Sequence, residues 1–211
     1  MTAEPPSTSR RGRPKSADKE ARRQAVLDAA LIELVEHGYK NVTMLGIAQR
    51  ASSSKETLYN WFGNREGLFT ALIQDNGTKA AESAQNALDT KAEPKQVLVG
   101  FADSLLTLLT GDRSVALNRA AMTSPELSEI LLEHGRYRVG PIVEEYLSHL
   151  NGEGVIEIDD PAKAFRTLYG LVLADLQILA LLGVKPLSDE QAAQHSSQAV
   201  THFLKLTQPR E

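Results

Sequence analysis

Apolar residues recur at intervals of three and four along most of the chain from Val26 to Leu206, and nowhere is an apolar and polar alternation sustained. A repeat near 3.6 lines the apolar side chains along one face of a helix, so the pattern predicts an all-α fold. Val26, Leu27, Ala30, Leu31, Leu34 and Val35 form the first stripe, and Gly38 follows where a left-handed cap is wanted. Thr43 is placed to cap a short second helix that turns Met44, Ile47, Ala48 and Ala51 inward. Ser52-Ser53-Ser54 offers side-chain oxygens to free amides, so the chain turns there and restarts at Lys55 as a third helix carrying Leu58, Trp61 and Phe62. Gly63 and Asn64 stop it. A fourth helix runs from Arg65 towards Leu88, with a bend expected at Asn76-Gly77. Further helices are expected over about 94–110, 113–121, 125–149, 161–183 and 188–206, about nine in all.

Three short helices within about fifty residues, the last two separated by a tight polar turn, make the helix-turn-helix (homeodomain-like) pattern. The charge is arranged to suit it. Of a net −4, residues 1–70 hold 11 Lys and Arg against 8 Asp and Glu, and the remainder holds 12 against 19. Only the first segment suits a polyanion. The organisation expected is a disordered basic arm over 1–16, a DNA-binding unit over 17–64, and a larger helical domain over 65–211.

Other function classes find little support. Cysteine is absent, which excludes disulfides and thiolate metal sites. His37, His134, His149, His195 and His202 show no metal-ligand spacing, and no phosphate-binding glycine loop is present, so neither an enzyme nor a cofactor or metal is expected. The most apolar segment, Leu168 to Val184, is interrupted by Asp175 and Gln177 and is shorter than the roughly 20 residues of a membrane span. With no secretory signal before Val26, the expected location is the cytoplasm.

The residues go further than the pattern. Ala29-Ala30, Gly38-Tyr39, Val42-Thr43-Met44, Ile47-Ala48, Ala51, Ser54, Thr57-Leu58-Tyr59, Phe62, Arg65-Glu66 and Leu68-Phe69 together resemble the signature of the tetracycline-repressor (TetR) family. The resemblance covers about Arg22 to Leu72 and implies a homodimeric repressor that binds a palindromic double-stranded operator and releases it on binding an effector. Three positions depart from the family pattern. Ser52 and Ser53 stand where Gly and an apolar residue are usual, and Glu56 stands where a small residue is frequent.

By position, the resemblance implies that Thr43, Tyr59, Trp61 and Arg65 contact phosphates and that Lys55, Glu56, Thr57 and Asn60 face the bases, with Ser54 at the start of the recognition helix. Phosphate contacts fix register, whereas base contacts carry sequence. Glu56 has two readings, because a carboxylate is repelled by phosphates: it accepts from a cytosine amino group, or it serves the helix in a capping box with Ser53. Trp61 likewise contacts phosphate or packs between helices. The segment Arg10 to Lys15 resembles the Gly-Arg-Pro core of AT-hooks, which makes Arg11 and Arg13 candidates for a narrow A·T minor groove; the alternative is an unspecific basic arm.

In the second half, the resemblance assigns homodimerisation to the helices at about 161–183 and 188–206. Phe101, Leu105, Met122, Tyr137, Tyr146 and Tyr169 are candidates for a cavity taking an apolar or aromatic effector, and equally for ordinary core. Asp175, a carboxylate in an apolar run, is expected at the dimer interface or on the ligand. A ligand-independent architectural DNA binder is the rival reading, and activation is the alternative to repression.

Overall fold

A computed structural model describes residues 16–209. Its eleven helices among those residues are α1 (Ser16–His37), α2 (Met44–Arg50), α3 (Lys55–Phe62), α4 (Arg65–Leu88), α5 (Pro94–Thr110), α6 (Asp112–Ala121), α7 (Pro125–His134), α8 (Arg136–Gly152), α9 (Pro161–Leu173), α10 (Leu176–Leu181) and α11 (Asp189–Leu206). No strand occurs among the described residues, and none of their helices is long and apolar enough to cross a membrane.

The helix starts follow the side-chain caps. Thr43, Ser54, Asn64, Ser124, Asp160 and Ser188 each accept a hydrogen bond from an amide of the following first turn, and Ser188 with Gln191 forms a full capping box. Each such cap is worth about 1 kcal/mol against alanine. Gly38, at φ 70°, closes α1 through its amide to the Leu34 carbonyl at 2.9 Å.

Eleven helices stand where nine were expected, because two long stretches are broken. The 125–149 stretch divides at Gly135, whose φ −98° and ψ −95° leave the helical region. The 161–183 stretch divides at Ala174, which adopts φ 44° and ψ −118°. Arg119 of α6 donates to the carbonyls of Leu181 and Ala180 at 3.0 and 3.3 Å, holding the displaced α10. α4, in contrast, continues unbroken through Asn76-Gly77.

Two apolar cores result. The first joins α1, α2 and α3 to the first half of α4, and extends to Leu117, Ala120 and Ala121 of α6 and Leu127 of α7. The second gathers Ala84 and Leu88 of α4 with α5, α8, α9 and α11. Buried side chains such as Leu58, Phe69, Phe101 and Phe203 each contribute roughly 1.5–3 kcal/mol of transfer free energy. α4 thus contributes to both cores and joins them.

Candidate nucleic-acid interface and helical cavity

The turn between α2 and α3 is built from the three serines. The Ala51 amide reaches the Ile47 carbonyl, and Ser53 returns to the Ala48 carbonyl, both at 2.9 Å. Ser52 between them takes φ 48°, a left-handed conformation carried by a residue with a Cβ. Ser54 caps α3: its Oγ accepts from the Thr57 amide at 3.0 Å and lies 2.8 Å from the Thr57 hydroxyl. The capping box read between Ser53 and Glu56 is therefore absent: α3 starts at Lys55 as expected, and Ser54, not Ser53, caps it. Glu56 is exposed and makes no hydrogen bond or ion pair among the described residues.

Leu58 anchors α3 in the first core with no exposure, which turns Lys55, Glu56, Tyr59 and Asn60 outward. The Lys55 ammonium lies 5.6 Å from the centre of the Tyr59 ring. Thr57 and Trp61 are half-buried and face Arg22 and Ala25 of α1 across a groove. Trp61 also meets Phe62 edge-on at 6.3 Å and packs on the first core. Thr43 is exposed beside this face.

Arg65 has structural partners. Its guanidinium stacks 4.4 Å over the Tyr39 ring and donates to the carbonyls of Tyr39 and Val42 at 3.2 and 3.4 Å. Tyr39 in turn meets Phe69 edge-on at 5.0 Å. The α1–α2 connection is thereby tied to the start of α4. Arg11 and Arg13 lie outside the described residues.

One cluster was missed by sequence reasoning. Glu33, only 9% exposed, accepts from the Arg50 Nε at 2.7 Å, and Arg50 also pairs with Glu36. The hydrogen bond to Glu33, with the charge of Glu36, raises the Arg50 pKa still further above its ordinary value. His37 stands 3.7 Å from both carboxylates. Glu33, Glu36 and His37 have ligand atoms near one another, but Arg50 already compensates the carboxylates, so the group reads as a clamp between α1 and α2. Its only trace in the sequence is an acidic residue between Ile32 and Leu34.

A cavity of about 260 Å³ lies where α4 to α10 converge. Its walls are Ile73, Leu108, Leu109, Leu131, Val139 and Phe165, and its polar groups are Asn76, Ser114, Asn118, Arg136, Tyr169 and Gln177. Tyr169 donates to the Gln177 Oε1 at 3.4 Å. Burial pushes the Tyr169 hydroxyl above its usual range, and Arg136 pulls against that shift. A second cavity of about the same volume lies between α5, α10 and the segment Val184 to Asp189.

Of the seven residues expected at a cavity, only Tyr169 lines the first of these two. Phe101 and Leu105 are buried in the second core, against which Tyr146 packs half-buried. Met122 and Tyr137 are 66% and 65% exposed, and Asp175 is exposed at the α9–α10 break. Arg136 and Gln177 were not among the expected cavity residues, because the breaks at Gly135 and Ala174 that start α8 and α10 beside the cavity were unforeseen. The expected dimer faces are also largely occupied. Phe165, Leu168, Val172, Ala199, Val200 and Phe203 are buried within the chain's own core, leaving Ile178, Leu182 and Leu206 outside.

A helix-turn-helix unit joined through α4 to a cavity-bearing helical body has the architecture of a helix-turn-helix regulator. Residues 26–72 match the model for bacterial regulatory proteins of the tetR family, and residues 96–206 match that for the C-terminal domain of AefR-like transcriptional repressors. The chain belongs to the TetR family. The crystal structure of a TetR transcriptional regulator from Agrobacterium tumefaciens is 37% identical, covers 90% of this chain and 96% of that one, and superposes with a TM-score of 0.73. The flavonoid-responsive regulator FrrA is 29% identical over 91% of this chain and 100% of that one, with a TM-score of 0.69. The fatty acid metabolism regulator protein of Bacillus subtilis is 28% identical over 127 residues, which are 60% of this chain and 63% of that protein. The chain thus spans less than two thirds of that relative's length.

Proposed function

We propose that the protein is a sequence-specific DNA-binding repressor: a homodimer on a palindromic operator, released by an apolar or aromatic small molecule and working in the cytoplasm. The observation that carries the reading is the exposed polar face of α3, presented by a capped turn and a fully buried Leu58 in a chain of the TetR family. Ser54 positions the helix end, Lys55, Glu56, Thr57 and Asn60 read base edges, and Thr43, Tyr59 and Trp61 hold phosphates. Arg65 reaches the backbone with the N–H groups that its bonds to Tyr39 and Val42 leave over. Residues 1–16 act as a basic arm whose Arg11 and Arg13 enter the adjacent minor groove, 17–64 read DNA, and 65–211 sense and dimerise, through the segments at about 161–183 and 188–206.

Two observations favour sensing over a ligand-independent architectural role. The helical body encloses a cavity with apolar walls and convergent polar groups. Relatives are named for flavonoid response and for fatty acid metabolism. Gel shifts with the DNA upstream of the protein's own coding region, repeated with a panel of hydrophobic and aromatic compounds, test the reading. A sequence-specific shift that a compound reverses is expected; a folded protein that shifts no DNA specifically overturns it.

A further inference from the structure

The body that surrounds the cavity is acidic: outside residues 1–70 the chain carries 12 basic against 19 acidic side chains. No Asp or Glu lines the cavity, however, and Arg136 is the one charged side chain on its wall among the described residues. Arg136 has no carboxylate partner among the described residues. Its guanidinium rests 4.5 Å over the Tyr169 ring, which faces the cation without neutralising it.

The surroundings point the same way. Arg136 and Phe165 also line a shallow groove that opens outside the cavity, and there Arg166 adds a second positive charge. Glu144 shares that groove without pairing with Arg136. Arg136 is the first residue of α8, a 17-residue helix with no side-chain cap, so the positive end of the helix dipole lies beside the guanidinium. A cation held against an apolar space with no counter-ion is incomplete; an anion bound there would be both desolvated and compensated.

We propose that the cavity selects a compact apolar molecule bearing one anionic group, and that Arg136 receives the charge while Ile73, Leu108, Leu131 and Phe165 enclose the apolar body. This rests on the effector-sensing reading above and narrows it to organic acids. An aryl carboxylate and a medium-chain fatty acid share this chemistry, and binding separates them.

Isothermal titration of the full-length protein with 2-naphthoate and decanoate, each beside its neutral amide, tests the proposal. The expected result is that at least one acid binds about tenfold or more tightly than its amide, and the better acid identifies the aryl or alkyl class. Arg136→Gln lowers the affinity for that acid about tenfold and erases its advantage over the amide, while Arg136→Lys restores part of it. Amides that bind as well as acids, acid affinity unchanged in Arg136→Gln, or no binding of either acid overturn the proposal. The acid and amide comparison on the unmodified protein decides the matter even if the variants fail to fold. An operator gel shift without ligand is run alongside. A specific shift with no acid binding sinks the ligand class alone; acid binding with no shift supports the ligand class and sinks the DNA reading.

Discussion

The backbone carbonyl of His134, at the end of α7, lies so close to Gly77 in the middle of α4 that a Cβ on residue 77 would stand 2.1 Å from the oxygen. Both elements wall the cavity, and α4 begins three residues after the recognition helix ends. On the proposed function, a molecule that fills the cavity would act on a helix pair with no slack at this contact, and α4 is the element that would carry the displacement to the recognition helix.

Gly77→Ala forces that contact apart, because the atom in the way is backbone and cannot rotate aside. Overpacking of this kind costs about 1–3 kcal/mol. Urea denaturation is expected to show the loss, and gel shifts are expected to show weaker operator binding without any effector. Unchanged stability would mean that α4 and α7 separate freely.

Ser52 and Ala174 both hold positive φ with a side chain present. The left-handed conformation costs a residue with a Cβ about 1–2 kcal/mol, and glycine returns roughly 0.5–1 of this as extra unfolded-state freedom. Ser52→Gly and Ala174→Gly are each expected to raise the melting temperature, with a net gain of about 0.5–1 kcal/mol. Either one lowering it would contradict the strain.

Removing Arg50 leaves Glu33 largely buried beside Glu36 without its hydrogen-bonded guanidinium, and only the half-exposed His37, 3.7 Å from each carboxylate, remains near them. Arg50→Met is expected to lower the melting temperature by several degrees, and adding Glu33→Gln is expected to recover most of the loss. Additive losses in the double variant would show that the two residues do not act as a pair.

Glu56 has no side-chain partner among the described residues, so Glu56→Ala is expected to leave stability within about 0.5 kcal/mol. A changed operator preference in a binding-site selection then marks Glu56 as a base reader. Clear destabilisation would return it to a helix-supporting role.

The Tyr169 hydroxyl is raised by burial, and Tyr146 is raised by burial and by Glu153. A group whose pKa is higher folded than unfolded contributes stability that is complete below the unfolded value, about 10 for tyrosine, and is lost as pH rises through the folded one. Chemical denaturation at increasing pH is therefore expected to show a decline setting in above about pH 10, and Tyr169→Phe is expected to flatten it.

The recognition unit was legible in the sequence because its signals are local. The stripe from Val26 to Leu34, the caps at Thr43 and Ser54 and the serine turn concern residues within a few positions of one another. Even there, spacing alone left Ser53 and Glu56 as a capping box, which the cap at Ser54 excludes. The cavity was less legible. Phe101, Leu105 and Tyr146 have the right composition for a pocket wall, but composition does not say which face of a helix meets an empty space and which meets a neighbour.

By itself the sequence determined an all-α chain, a helix-turn-helix near its start and membership of a family, since periodicity, capping and motif spacing are written along the chain. The tertiary structure decided what distant residues do together: Arg50 on Glu33, Gly77 under the His134 carbonyl, Arg136 and Gln177 aimed at one space. The last of these depends on the breaks at Gly135 and Ala174. At Ala174 the strongest helix former leaves the helix, with α10 beyond it held by Arg119 on the Ala180 and Leu181 carbonyls, and no local signal records that.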